Sequence, residues 1–522
     1  MKSLPVPPLT QTLERYARAL SAISTAEEVE LTRGFIDEFL ADDGPKCQSE
    51  LEEFAVSENE NGHNWMSQAW LAGYLGSRDP LPLVSNVTFE LAFDSKTNGI
   101  ERASEIIYRL ASIYLTQLRG EAPADISPRG DELSPTQWHY LNGAIREPKP
   151  DIDGITDGPK TAANREIVVL YRNNAYAITI SDTAGQPIPH QILASQLAET
   201  VKTSSWGNFT DLSYLGSATA SELLPKLLAD PKNVDTYTHL QQCLFIAELA
   251  DEDIDSTTAL TKLMFEPGHG WVYKPSTYQI SLTTNFVAVH FEHSLADGAT
   301  LKELVSRAQG VELVDTAAKT DAKLLPLNWV LSDELSSKIS NGLAGYTEQI
   351  SNYQVRQVMV DFEFPAGYKL SADAAMQWVM AYAQYATWGR FRSHYEAVDM
   401  REYLAGRTEC LRSLTPEAAD LVTALRQDAA TIDQLLAAKK AHSDWVKACK
   451  SGNGIDRHLL GLRLMAEKLG LSPKLFADQN YRRLCTDLLS TTSVGDKNQI
   501  TRFTFAPPKD GIGVYYVANK TR

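Results

Sequence analysis

Apolar positions recur at helical spacing through the first 80 residues. LERYARALSAI and EVELTRGFIDEFL each place their large side chains three and four apart, which predicts amphipathic helices up to the breaker-rich SRDPLPLVSN. ERASEIIYRLASIYLTQLRG, near residues 101 to 120, predicts another. The period then changes to two. EIVVLYRNNAYAITISDTAGQPI predicts strands about an Asn-Asn turn, and YQISLTTNFVAVHFEH predicts a strand pair about a short polar turn. ELLPKLLAD and HLQQCLFIAELA read as helical, as do SADAAMQWVMAYAQYATWG and DRHLLGLRLMAEKLG, and TRFTFAPPKDGIGVYYVANK reads as strand, turn, strand. With no short-period repeat and no low-complexity segment, the pattern predicts a mixed α/β (α+β) protein.

Composition narrows the classes. A chain of 522 residues, 43% hydrophobic and 22% charged, exceeds one ordinary core and points to two domains. The net charge of -17 argues against a nucleic-acid binder, which needs a basic stripe. Cys47, Cys243, Cys410, Cys449 and Cys485 show neither zinc-ligand nor disulfide-framework spacing, so no metal site and a reducing, cytoplasmic setting are expected, an organelle matrix being the alternative. No secretory signal and no membrane span are expected.

HFEHSLADG, residues 290 to 298, holds the first candidate chemistry. On a strand, Phe291 and His293 point one way and His290 and Glu292 the other, so the two histidines do not converge on a metal. A histidine at a strand end, with Asp297 four residues on, suits a general base whose tautomer a carboxylate fixes; a satisfied structural histidine is the other reading. A second cluster, Tyr395, Arg407, Thr408, Arg412, Arg457, Ser490, Thr491, Thr492 and Ser493, offers guanidinium and hydroxyl groups for a carboxylate and an oxyanion. The competing reading pairs Arg407, Arg412 and Arg457 with surface acids.

Seven stretches in order, LPVPPLTQTLERYARAL, NWMSQAWLAGYLGSRDPLPLVSN, EHSLADG, Tyr395-Glu396 with GRTE, DRHLLGL, LSTTS and DGIGVYY, resemble the carnitine/choline acyltransferase family. The resemblance implies two domains similar to chloramphenicol acetyltransferase, each a mixed sheet flanked by helices, with an active-site tunnel at their interface. It divides the chain into a helical segment 1–85 packing on the C-terminal half, a first domain 86–335 carrying the catalytic histidine, and a second, 336–522, carrying binding residues.

By that resemblance His293 is the base that deprotonates an alcohol for attack on a pantetheine thioester, coenzyme A being the co-substrate, in a ternary complex. Tyr395, Thr408 and Arg457 match the binders of the carnitine carboxylate, and Ser490 begins the Ser-Thr-Ser motif. The oxyanion donor falls on Thr492 or Ser493, with Thr492 favoured. Lys369, Ser371, Asp373 and Glu396 fall on the donor side, and Phe503, near the position that limits acyl length, predicts a short or medium chain.

Three positions depart from the family. Phe362 and Ala366 stand where two lysines usually meet the 3′-phosphate of coenzyme A, which raises a rival donor, the phosphopantetheine of an acyl carrier protein, releasing an acyl or polyketide chain onto a polyol. Gly270 replaces an arginine expected to partner Asp297, and the chain stops soon after DGIGVYYV. These departures also support a non-catalytic binding protein as a second alternative. A monomer is expected.

Overall fold

The computed structural model describes residues 1–314, 323–360, 370–494 and 498–517. Its strands are β1 (Val87–Leu91), β2 (Ile145–Glu147), β3 (Gly154–Thr156), β4 (Glu166–Tyr171), β5 (Asn174–Thr179), β6 (Ile246–Ala250), β7 (Ser276–Ser281) and β8 (Val287–Phe291). They continue with β9 (Leu324–Leu327), β10 (His394–Asp399), β11 (Thr408–Leu411), β12 (Leu489–Thr492), β13 (Ile500–Phe505) and β14 (Ile512–Tyr515). An eight-stranded mixed sheet runs β13-β1-β8-β7-β6-β4-β5-β9, a four-stranded one β11-β10-β12-β14, and β2 and β3 form a hairpin.

Both faces of the large sheet are covered. Ile167, Val169, Tyr278, Val289 and Phe291 pack against Ile107, Leu110 and Tyr114 of the helix Gly99–Leu118, while Val168, Leu170 and Ile246 face Leu223, Leu240 and Trp271 on the other side. That double burial explains the one misread element. CLFIAELA, expected to be helical, follows the end of the helix Pro231–Gln242 and becomes β6, a central strand parallel to both β4 and β7. A strand buried on both faces reads as a continuous apolar run with no alternation. The β4–β5 turn likewise sits one residue earlier than the Asn-Asn pair, at Arg172 and Asn173, whose φ values of 49° and 55° suit a two-residue hairpin turn.

The N-terminal helices Leu9–Leu20, Ala26–Ala41 and Asp43–Glu60 bury Leu13, Tyr16, Phe39 and Leu51 against Leu459, Leu462 and Met465 of the helix Asp456–Lys468. Two elements cross the expected boundary at 335. The helix Asp333–Ile350 contributes Leu335, Ile339 and Tyr346 to the core of the large sheet, and β13 leaves the second half to pair antiparallel with β1, Val87 opposite Phe505. The latter places Phe503 beside Phe89. Among the described residues no helix is long and apolar enough to cross a membrane.

Candidate active site

The apolar strand β8 delivers His293 into a short loop that ends at the helix Gly298–Gln309. Gly298 permits the close entry, since a Cβ there would meet the Phe89 ring at 3.1 Å. The imidazole Nδ1 lies 2.6 Å from the Ala296 carbonyl oxygen. A carbonyl can only accept, so Nδ1 carries the hydrogen and Nε2 keeps the lone pair. Burial pushes the His293 pKa below its ordinary value, against the opposing pull of Asp297. His290 has a different fate. Its Nδ1 donates to the Leu263 carbonyl and its Nε2 accepts from Asn86, and burial pushes its pKa down to about 4, so it is a satisfied structural histidine. Among the described residues no three His, Cys, Asp or Glu side chains group as metal ligands.

Asp297 stands 3.7 Å from His293 Nδ1 and is gripped from across the molecule by Arg407. Arg407 Nε donates to Oδ2 at 2.8 Å and Nη2 to Oδ1 at 3.2 Å, while Nη1 and Nη2 also reach the carbonyls of Ser294 and His293. Burial raises the Asp297 pKa, but Arg407 and His293 outweigh it and hold the carboxyl below its usual range. Gly270 therefore does not leave this acid without a guanidinium: the GRTE segment supplies one. Arg412 also meets buried acids, Asp456 and Asp487, so neither arginine is a surface pairing.

His293 opens onto a cavity of about 1320 Å³ lined by both halves of the chain, including Tyr395, Thr408, Arg457, Ser490, Thr492, Ser493 and Phe503. Strand alternation on β12 sorts the hydroxyls. Ser490 and Thr492 share one face, whereas Thr491 turns away to bond the Tyr395 carbonyl and accept from Gln377. Ser490 Oγ donates to the Tyr395 phenol oxygen at 2.7 Å, leaving the phenol's own hydrogen to donate elsewhere. Burial pushes that phenol up to about 12, so it stays protonated. Arg457 donates from Nε to the Thr408 carbonyl at 3.0 Å and lies 4.4 Å above the Trp70 ring; among the described residues no carboxylate forms an ion pair with it.

Trp70 and Tyr74 were not singled out by the sequence reading. The helix Ser67–Leu75 carries them four apart on one face, where Trp70 also lies under Arg407 and Tyr74 contacts the His293 ring at 5.5 Å. That spacing within NWMSQAWLAGYL was the available signal. Phe503 stacks on Phe89 with centroids 4.2 Å apart and packs on Phe505, forming an aromatic part of the cavity wall.

The family model described as Choline/Carnitine o-acyltransferase matches residues 4–522. The chain belongs to the choline/carnitine O-acyltransferase family. The human carnitine O-acetyltransferase is 25% identical, with 98% of this chain aligned to 86% of that protein, and the Columba livia carnitine O-acetyltransferase is 27% identical over the same shares. The Danio rerio choline O-acetyltransferase is 25% identical, covering 95% of this chain and 83% of its own.

In this acyltransferase three of the expected donor-side residues, Ser371, Asp373 and Glu396, do not line the cavity. Ser371 caps the helix Ala372–Trp388 through the Ala374 N–H. Glu396, next to Tyr395 on β10, points to the opposite face of the strand, where Tyr516 bridges it to Asp373 with oxygen separations of 2.6 and 2.5 Å. One phenol hydrogen cannot serve two carboxylates, so one carboxyl must itself donate. Burial and the neighbouring Asp373 raise the Glu396 pKa, which assigns the proton to Glu396. Lys369, Phe362 and Ala366 lie outside the described residues.

Proposed function

We propose that this acyltransferase moves an acyl group from the pantetheine thioester of coenzyme A to the hydroxyl of carnitine or a similar zwitterionic alcohol, with His293 as general base in a ternary complex. The observation that carries the reading is the fixed tautomer of His293 at the cavity wall. Its unprotonated Nε2 takes the proton from the acceptor hydroxyl, the oxygen attacks the thioester carbonyl, and the same nitrogen returns the proton to the leaving thiolate. Thr492, on the cavity face of β12, is the donor to the oxyanion, with Ser493 adjoining it. Arg457, unpaired by any described carboxylate, receives the acceptor's carboxylate beside Tyr395, Thr408 and Ser490.

On the donor side, Ser371 and Asp373 at the start of the helix Ala372–Trp388 take the nucleotide end together with Lys369, and Glu396 acts through Tyr516. The stacked Phe89–Phe503 pair favours a short or medium acyl chain. All these groups come from one chain, which fits a monomeric enzyme, and five unpaired cysteines fit a cytoplasmic or organelle-matrix setting. Phe362 and Ala366 favour a second reading, in which a carrier protein's phosphopantetheine is the donor and a polyol the acceptor.

Thiol release with acetyl, butyryl and octanoyl donors, each as coenzyme A and as truncated pantetheine thioester, tests both readings with carnitine, choline or glycerol as acceptor. Carnitine-dependent turnover that prefers coenzyme A supports the first. Equal rates with truncated donors, or turnover with glycerol alone, move the assignment to the second. His293→Ala retaining wild-type turnover would sink both.

A further inference from the structure

We infer that Gln137 is a positioning residue for the His293 site, locking Asp297 and the Gly406–Arg407 turn into one register across the two halves of the protein. The inference rests on the reading of His293 as the base.

Gln137 lies in the turn Thr136–Asn142 and is almost wholly buried, at 1% exposure. Its amide is saturated. Nε2 donates to Asp297 Oδ2 at 2.9 Å and to the Gly406 carbonyl at 3.2 Å, while Oε1 accepts from the Asp297 N–H at 2.8 Å and the Thr300 hydroxyl at 2.7 Å. Two donor hydrogens and two acceptor lone pairs are all that a carboxamide has. The orientation is not ambiguous either. The Asp297 N–H can only donate and the Gly406 carbonyl can only accept, which fixes which end of the amide is oxygen.

The consequence reaches the histidine through Asp297. Oδ2 receives both Gln137 Nε2 and Arg407 Nε, so Oδ1 is the oxygen turned to His293 Nδ1. Asp297 occupies the N-cap position of the helix Gly298–Gln309, yet its side chain caps no backbone N–H of that helix. Gln137 and Arg407 hold the carboxylate out of the capping orientation and toward the imidazole. The same amide bonds the carbonyl of Gly406, the residue before Arg407, in a turn so tight that a Cβ at Gly406 would fall 1.9 Å from the Met400 carbonyl oxygen. One side chain from the first half therefore sets both the acid beside the base and the turn that presents the acid's cation.

Glutamine suits this task where its relatives do not. Glutamate would set a second carboxylate oxygen against Asp297, asparagine is a methylene too short to reach both partners, and methionine fills the space with no hydrogen bond.

The test compares Gln137→Met, Gln137→Glu and Gln137→Asn with the wild-type chain in the thiol-release assay, each first checked for a native circular-dichroism spectrum. We expect Gln137→Met to lower kcat by roughly tenfold or more, as loss of a supporting hydrogen bond does at other sites, with KM for donor and acceptor nearly unchanged. In Gln137→Glu the added negative charge beside Asp297 should move the acid limb of the kcat/KM profile to higher pH, a change that a purely structural role would not produce. Should Gln137→Met fail to fold, Gln137→Asn serves for the kcat comparison. A folded variant with wild-type kcat, together with an unmoved acid limb in Gln137→Glu, overturns the inference while leaving His293 as base intact. Wild-type turnover in His293→Ala overturns the base and this inference with it.

Discussion

Arg407→Met removes the guanidinium from four hydrogen bonds at once, two to the Asp297 carboxylate and two to the carbonyls of Ser294 and His293. Both charged side chains are nearly excluded from solvent, at 12% and 10% exposure, so this is a buried ion pair rather than a screened one. Removing one partner of such a pair leaves an uncompensated buried charge and costs about 3–5 kcal/mol, whereas replacing both with apolar groups of similar volume costs far less. Arg407→Met and Asp297→Leu should each lose stability in that range, and the double variant should lose clearly less than their sum. The coupling should reach roughly 2–3 kcal/mol, within the span found for contacting pairs. The assay is the urea midpoint, read by tryptophan fluorescence, with the slope m checked for constancy. Loss of kcat in Arg407→Met beyond the loss of folded protein would show that the pair also orients the His293 loop. If the two single effects add to within about 0.5 kcal/mol, the ion pair is not the connection described here.

Thr492→Ala should lower kcat by about 10²–10³ if its hydroxyl faces the oxyanion, while Thr491→Val, on the opposite face of β12, should leave kcat near wild type in steady-state assays. Because burial disfavours the imidazolium, the acid limb of kcat/KM should lie below the ordinary histidine value of about 6.5; a limb above it would contradict the described environment. Glu396 is held protonated in the fold, with its pKa raised to about 8, so the folded state binds the extra proton and stability falls as pH rises from the ordinary carboxylate range toward that value. Glu396→Gln keeps a hydrogen-bonding partner for Tyr516 without the ionisable proton. Its melting temperature should fall less than that of the wild type between pH 6 and about 9, and parallel curves would refute the assignment.

Periodicity alone exposed most of this fold, and it failed where burial erased the pattern. The hairpin from β7 to β8 and the helix at Ala372–Trp388, which starts with the Ser371 cap and ends at left-handed Gly389, were plain from alternation, spacing and punctuation. β6 was not, because both faces of that strand are covered and its one polar residue, Glu248, is itself buried, held by His269 and Gln279. The site divides in a similar way. His293, Tyr395, Arg457 and Ser490 sit in short motifs and were legible; what surrounds His293 was not. The Arg407–Asp297 pair joins residues 110 apart in the chain, and Gln137 lies 160 before Asp297, separations at which one sequence carries no local signal. Glu396 follows Tyr395 directly, and a period of two sends neighbours on a strand to opposite faces, so the two side chains do not share the cavity.

The pairing of β13 with β1 sets a condition on how the enzyme comes into being. Val87 and Phe89 are made long before their neighbours on that side, Phe505 and Phe503: Thr88 and Thr504, which lie between them in the pairing, are 416 residues apart in the chain. Until then the outer edge of β1 stays open, with its backbone groups unpaired and able to recruit a foreign strand. The Phe89–Phe503 stack in the cavity wall is equally absent. Closure of the sheet and completion of this aromatic part of the cavity wall are therefore one event.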